Sequence, residues 1–99
     1  MNNPILVEIL TDPNDVNSPR IMKVAKSVVS KMDIPVMIRE VSLATDEGAH
    51  RAQEYELDAA PSILVNGRLA YVGSPSPDEF RKIIQETVKR EHSSSAHYF

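Results

Sequence analysis

The sequence contains no cysteine and no tryptophan, and only three of its 99 residues are glycine. Without a thiol, the chain forms no disulfide, provides no thiolate nucleophile and ligates no iron–sulfur cluster, and most zinc sites are excluded as well. The absence leaves the redox state of the compartment open, because a chain without thiols does not respond to it. Thiol chemistry is therefore the first class of function that the sequence excludes.

A strong charge of one sign and a long apolar run are also missing. Eleven basic and 14 acidic residues give a net charge of −3, which creates no field that attracts nucleic acid or anionic lipid. No segment approaches the roughly 20 apolar residues that span a bilayer. The apolar run at 5–10 is interrupted by Glu8 and has no basic start like that of an export signal. We therefore expect a soluble, cytoplasmic protein that binds neither nucleic acid nor membranes.

Apolar periodicity predicts seven secondary-structure elements in the order β-α-β-α-β-β-α. Strands are predicted at 4–11, 36–41, 62–65 and 68–72, and helices from the end of the loop 12–18 to about Met32, over 47–57 and from Pro77 to 91. The stretch from His92 is polar and aperiodic. We therefore predict one domain over 1–91 and a flexible C-terminal tail over 92–99.

Turn and cap signals support this division. Asn66-Gly67 lies between two apolar runs and predicts a tight hairpin, since both residues tolerate a positive φ. Ser76 and Glu79 have the spacing of a capping box at the start of the last helix. The first helix has two candidate caps, Asp15 and Ser18. The resulting architecture is of the α/β class: a four-stranded mixed sheet with helices on both faces.

Three segments resemble the short thioredoxin/glutaredoxin-like proteins best known from archaea: VEILTDP at 7–13, APSILVNGR at 60–68 and GSPSPDE at 73–79. The resemblance implies the thioredoxin fold, with the family's cis-proline at Pro61. It also places the family's Cys-x-x-Cys on residues 15–18, where Asp15 and Ser18 replace the two cysteines. The family's buried acid corresponds to Ile9. The resemblance thus implies a retained scaffold without its redox chemistry.

In this family, the backbone before the cis-proline pairs with an extended peptide. The resemblance therefore implies a redox-inactive module that binds a protein or peptide segment in a groove, without a cofactor or a metal. The implied groove residues are Asp12, Asn14, Asp15, Val16, Asn17, Ser18, Ala60, Pro61, Gly73 and Ser74.

Several alternatives remain open from the sequence. Pro61 can serve the fold alone, and Asp15 and Ser18 can act as helix caps only. An enzyme of the thioredoxin/glutaredoxin family, acting on disulfides or glutathione by another route, is the second functional hypothesis. Asn17-Ser18-x-Arg20 resembles the cysteine-free clock protein family KaiB, which also acts by protein contact. His50 and Glu54 have metal-ligand spacing but lack a third ligand.

Overall fold

The computed structural model describes residues 4–58 and 60–96, with side chains through residue 90. The elements follow the predicted order: β1 Ile5–Thr11, α1 Asn17–Ser30, β2 Val36–Ser42, α2 Asp46–Glu54, β3 Ser62–Val65, β4 Arg68–Val72 and α3 Pro77–Ala96. The α/β class predicted from the sequence is confirmed. No helix in the described part of the chain has the length and apolar character needed to cross a bilayer.

The four strands form one mixed sheet in the order β2-β1-β3-β4. The β1 and β2 strands are parallel, as expected for two strands joined by a helix. The other two pairs are antiparallel, and β3 and β4 form the hairpin predicted at Asn66-Gly67. Both turn residues have positive φ, 49° at Asn66 and 79° at Gly67, as a primed hairpin turn requires.

The sheet buries a different set of side chains on each face, because successive residues of a strand point to opposite sides. Ile5, Val7 and Ile9 lie in one cluster that is completed by apolar residues of α1 and α3. Leu10 lies in a second, smaller cluster with Val41. The second cluster also includes Leu64, and Leu43, Tyr55 and Leu57 from the segments before and after α2 pack against it. The helices therefore cover both faces, with α1 and α3 on one side and α2 on the other.

Glycine is required where α2 begins. Gly48 is buried in the first turn, and a Cβ atom at this position would overlap the backbone carbonyl of Ser42 and lie 2.8 Å from Leu43 Cα. Thr45 caps the helix, because its side-chain oxygen accepts a hydrogen bond from the Gly48 N–H at 3.1 Å. The close approach and the cap together fix the helix start against the end of β2.

Two helices end earlier than predicted. The α1 helix ends at Ser30 rather than at about Met32, because the N–H groups of Lys31 and Met32 bond three residues back, to Val28 and Val29. The α2 helix was predicted to reach residue 57 and ends at Glu54.

Backbone geometry at Glu56 explains the early end of α2. Its φ is 53°, in the left-handed region. Its N–H bonds to Gln53 O, and the Leu57 N–H bonds to Ala52 O at 2.8 Å. This is the pair of hydrogen bonds of a Schellman motif, which closes a helix when one residue turns left-handed. Glutamate rarely adopts that conformation, so its residue type did not predict the early end of the helix.

The last helix starts as predicted and ends later. The capping box is present: Glu79 N–H donates to Ser76 Oγ at 3.2 Å, and Ser76 N–H donates to Glu79 Oε1 at 2.9 Å. The helix was predicted to end at residue 91 and continues through Ala96, whereas the division into a domain over 1–91 and a tail over 92–99 stays a prediction. No glycine or proline interrupts the chain after Pro77, so hydrogen bonding continues where apolar periodicity has ended. The rest of the predicted tail, 97–99, lies outside the described residues.

Candidate functional site

The strand register brings the three predicted groove segments to one end of the sheet. Leu10, near the end of β1, pairs with Ser62 at the start of β3. Ser62 also pairs with Val72, the last residue of β4. The predicted loop 12–18 follows β1, and its last two residues form the start of α1 in the structure. This loop, the Ala60-Pro61 segment and the Gly73-Ser74 turn therefore lie at the same end.

The loop 12–18 is held by its own hydrogen bonds. The Asp12 N–H donates to Ser18 Oγ at 3.0 Å, and the Asp15 N–H donates to the Asp12 carbonyl at 2.9 Å. The Asn14 N–H donates to Asp12 Oδ1, also at 2.9 Å. Ser18 is buried, with 4% of its surface exposed. Ser18 therefore braces the loop from inside, and it does not cap the helix.

Asp15 is the residue that meets the start of α1. Its Oδ1 accepts a hydrogen bond from the Asn17 N–H at 3.1 Å, and its carbonyl accepts from the Ser18 N–H at 3.2 Å. Of the two predicted caps, Asp15 is the one that satisfies helix-end N–H groups. Its other carboxylate oxygen, Oδ2, is buried and has no hydrogen-bond partner among the described residues. A buried acceptor without a donor is costly, so this oxygen is suited to receive one from a bound molecule.

Pro61 joins the second and third groove segments. The Ala60–Pro61 peptide bond is cis, and the Pro61 carbonyl accepts a hydrogen bond from the Gly73 N–H at 2.7 Å. Pro61 is buried and Ala60 is half-buried. Among the described residues, the backbone N–H and carbonyl of Ala60 form no hydrogen bond. Within the described part of the chain, Ala60 thus has an unused donor and an unused acceptor at the same end of the sheet as the loop 12–18.

Apolar side chains are exposed at this end of the sheet. Val16, in the loop, has 86% of its surface exposed, and Val72, next to Gly73, has 51% exposed. Asn14 and Asn17 are also exposed, while Ser74 is half-buried. The site therefore combines exposed apolar side chains with backbone groups of Ala60 that form no hydrogen bond among the described residues.

A cavity of about 360 Å³ lies beside the loop, between α1 and the ends of β1 and β2. Thr11 and Glu40 form part of its wall, where Thr11 Oγ1 donates to Glu40 Oε2 at 2.8 Å. The sequence reasoning missed Glu40 and Ser42. Their signal was the alternation on β2, since they follow Ile38, which packs against the α1 face of the sheet. The remaining lining residues are Asp12, Pro13, Ser18, Pro19, Met22 and Ser42.

The opposite face of the sheet carries an ion-pair network that the sequence did not reveal. Glu8 is buried, and its Oε2 accepts from Arg51 at 2.8 Å and from Arg39 at 3.2 Å. Arg39 also binds Glu47 at 2.7 Å. This hydrogen bond raises the pKa of Arg39 and lowers the pKa of the Glu47 carboxyl. Because Glu8 lies under α2, the network attaches that helix to the sheet and takes no part in the site.

His50 and Glu54 are exposed on α2. Among the side chains that the structure describes, 4–58 and 60–90, no three histidine, aspartate or glutamate groups are placed to hold a metal ion together.

Comparison with known proteins identifies the family. Residues 6–85 match a family model described as a thioredoxin domain. The chain belongs to this thioredoxin-domain family. It is 24% identical over 84 residues to a thioredoxin of Methanocaldococcus jannaschii, an alignment that covers 85% of this chain and 96% of that protein. It is 25% identical over 83 residues to a probable thioredoxin of Methanothermobacter thermautotrophicus, with 84% and 95% covered.

Solved structures agree on the fold. Thioredoxin-2 of a malaria parasite superposes with a TM-score of 0.69 at 14% identity, covering 87% of this chain and 85% of that one. Schistosoma mansoni thioredoxin superposes with a TM-score of 0.67 at 20% identity, covering 85% and 79%. The predicted thioredoxin fold is thereby confirmed for a chain that contains no cysteine.

Proposed function

We propose that this thioredoxin-domain protein is redox-inactive and binds an extended segment of a partner protein. The binding site is the groove formed by the loop 12–18, Ala60-Pro61 and Gly73-Ser74. The chain has no thiol that could attack a disulfide or resolve a mixed disulfide. The named relatives are called thioredoxins, so the proposal is that the groove is retained and the dithiol chemistry is lost.

The observation that carries the proposal is the unpaired backbone of Ala60. Its N–H and carbonyl make no hydrogen bond among the described residues, so both can pair with a bound chain. An extended peptide laid against Ala60 would satisfy both groups in the manner of an added strand. Val16 and Val72, both exposed, would supply apolar contacts on either side.

Asp15 favours a bound segment that places a hydrogen-bond donor at this carboxylate. Its Oδ2 has no donor, and a backbone N–H, hydroxyl or cationic group of the bound segment would satisfy it. The first position of the lost Cys-x-x-Cys would then accept a hydrogen bond instead of forming a covalent bond.

The experiment is selection of a random-peptide library on the full chain, followed by affinity measurement of the enriched peptide by fluorescence anisotropy. We expect Val16→Asp to weaken binding by about tenfold, the equivalent of one buried valine side chain. Met37→Asp is the matched control, because Met37 is 57% exposed on β2 and pairs with Leu6 at the other end of the sheet. Equal loss in both variants, or in neither, would contradict the groove.

Pro61→Ala tests the same site from its other side. We expect weaker binding of the selected peptide with the overall fold kept, as judged by circular dichroism. Unchanged affinity in this variant would mean that Pro61 serves the fold alone.

A redox assay separates this proposal from the enzymatic alternative. We expect no insulin reduction and no exchange with glutathione mixed disulfides above the buffer rate. Turnover above that rate would contradict a redox-inactive protein and support the oxidoreductase hypothesis. The KaiB-like alternative predicts a circular dichroism spectrum that changes with protein concentration, and a single spectrum with a fixed sedimentation coefficient would contradict it.

A further inference from the structure

A second cavity lies between β4 and α3, at the end of the sheet opposite the loop 12–18. Its volume is about 170 Å³. Arg68, the first residue of β4, and Arg90, on α3, both line it. Val65, Leu69 and Ala70 supply apolar surface.

Neither arginine has an acidic partner within the described residues. Arg39, Arg51 and Arg81 each bind a carboxylate there, whereas Arg68 and Arg90 form no ion pair. The lining includes no aspartate and no glutamate. The chain as a whole has a net charge of −3, so a cavity lined by two arginines and no carboxylate has the opposite charge from the chain as a whole.

The neutral polar groups of the cavity are engaged within the protein. The Thr87 hydroxyl donates to the Ile83 carbonyl at 3.1 Å. Asn66 Oδ1 accepts from the Leu6 N–H at 2.9 Å, which fixes the hairpin rim. The cationic donors of the cavity are therefore Arg68 and Arg90. A guanidinium is a planar set of N–H donors that matches the oxygens of a carboxylate or a phosphate.

We propose that this cavity binds a small organic anion, with a phosphate or carboxylate group at the two arginines and a short apolar part against Leu69. The volume is below the roughly 300 Å³ at which pockets for drug-sized ligands begin, which limits the ligand to a small molecule. Leu69 is exposed, and covering it removes apolar surface from water. The site is separate from the peptide groove, and the proposal does not depend on it.

The test is an NMR titration of the full chain with phenyl phosphate, which combines a phosphate with an apolar ring, and with phenol as its neutral counterpart. We expect phenyl phosphate to bind with a millimolar dissociation constant and to shift the amide signals of β4 and of α3 around Arg90. Phenol is expected to bind more weakly by at least about fivefold. Added salt is expected to weaken phenyl phosphate binding, because the arginines are exposed and screened by ions.

Arg68→Gln and Arg90→Gln should each weaken phenyl phosphate binding by about fivefold. Arg81→Gln is the matched control, since Arg81 lies on α3 like Arg90 and is paired with Asp78 at 2.9 Å. The affinity of this variant for phenyl phosphate should equal that of the unmodified chain. Because Arg68 and Arg90 are exposed, both variants are expected to fold, which circular dichroism checks. Unchanged affinity in both variants, or phenol binding as tightly as phenyl phosphate, would overturn the proposal.

Discussion

Replacing Glu8 with glutamine tests how α2 is attached to the sheet. The Glu8 side chain has 3% of its surface exposed, and its Oε2 receives hydrogen bonds from Arg51 at 2.8 Å and Arg39 at 3.2 Å. Glutamine keeps the shape and removes the charge. Breaking a fully buried ion pair costs about 3–5 kcal/mol. Here the two arginines are 27% and 48% exposed, so water can partly solvate them and the expected cost is smaller, about 1–2 kcal/mol.

The free energy of unfolding, measured by urea denaturation, gives the value directly, and the Tm is expected to fall by roughly 5–10 °C. Glu47→Gln is the matched control, because it removes the other carboxylate that binds Arg39, at 2.7 Å. Glu47 is 46% exposed, so its loss should destabilise the chain much less than the loss of the Glu8 charge. If Glu8→Gln proved no more destabilising than Glu47→Gln, the reasoning that burial gives the Glu8 pairs their strength would be refuted.

Three further changes test the fold. Gly48→Ala should lower the free energy of unfolding by about 1–3 kcal/mol, because its Cβ would overlap the backbone at the end of β2; an unchanged urea midpoint would contradict that close approach. Glu56→Gly should raise the free energy of unfolding by about 0.5–1 kcal/mol, since the φ of 53° is strained for glutamate and free for glycine, and a loss of stability would be the contrary result. The Ser76 backbone N–H lowers the pKa of the Glu79 carboxyl below its ordinary 4.5. The chain should therefore be more stable than the Glu79→Gln variant above pH 4.5, and this difference should be lost as the pH falls through the lower pKa of the folded state. A difference that stays constant in urea titrations down to low pH would contradict this prediction.

The features that were predictable from the sequence are those set by neighbouring residues. The capping box needs only Ser76 and Glu79, three positions apart, and the hairpin needs only the positive-φ tolerance of Asn66-Gly67. Both appear in the structure with the predicted geometry.

The missed features depend on residues that are distant in sequence or on unusual backbone conformations. Glu8 meets Arg39 and Arg51 across separations of 31 and 43 residues, so the pairing requires the strand register and the position of α2. In the sequence Glu8 only interrupts an apolar run. Glu56 adopts a conformation that its residue type disfavours, and tertiary packing of Leu57 against the smaller core cluster accompanies it.

The candidate site shows the same division. The resemblance at 7–13 and 60–68 indicated which segments meet, and the register agrees with their meeting. It did not indicate that Ser18 is turned inward, because this follows from one hydrogen bond to the Asp12 N–H. Glu40 was missed because the family pattern for the site contains no residue of β2, although the alternation along that strand predicts that Glu40 lies on the same face as Ile38.

The central claim is that a peptide pairs with the backbone at Ala60. An amide NMR titration of the full chain with the selected peptide tests it most directly. The account predicts that the Ala60 amide signal and those of the loop 12–18 shift and become protected from hydrogen exchange, while the Asn66-Gly67 turn at the other end of the sheet is unaffected. Binding that leaves the Ala60 amide unshifted and unprotected would contradict the account.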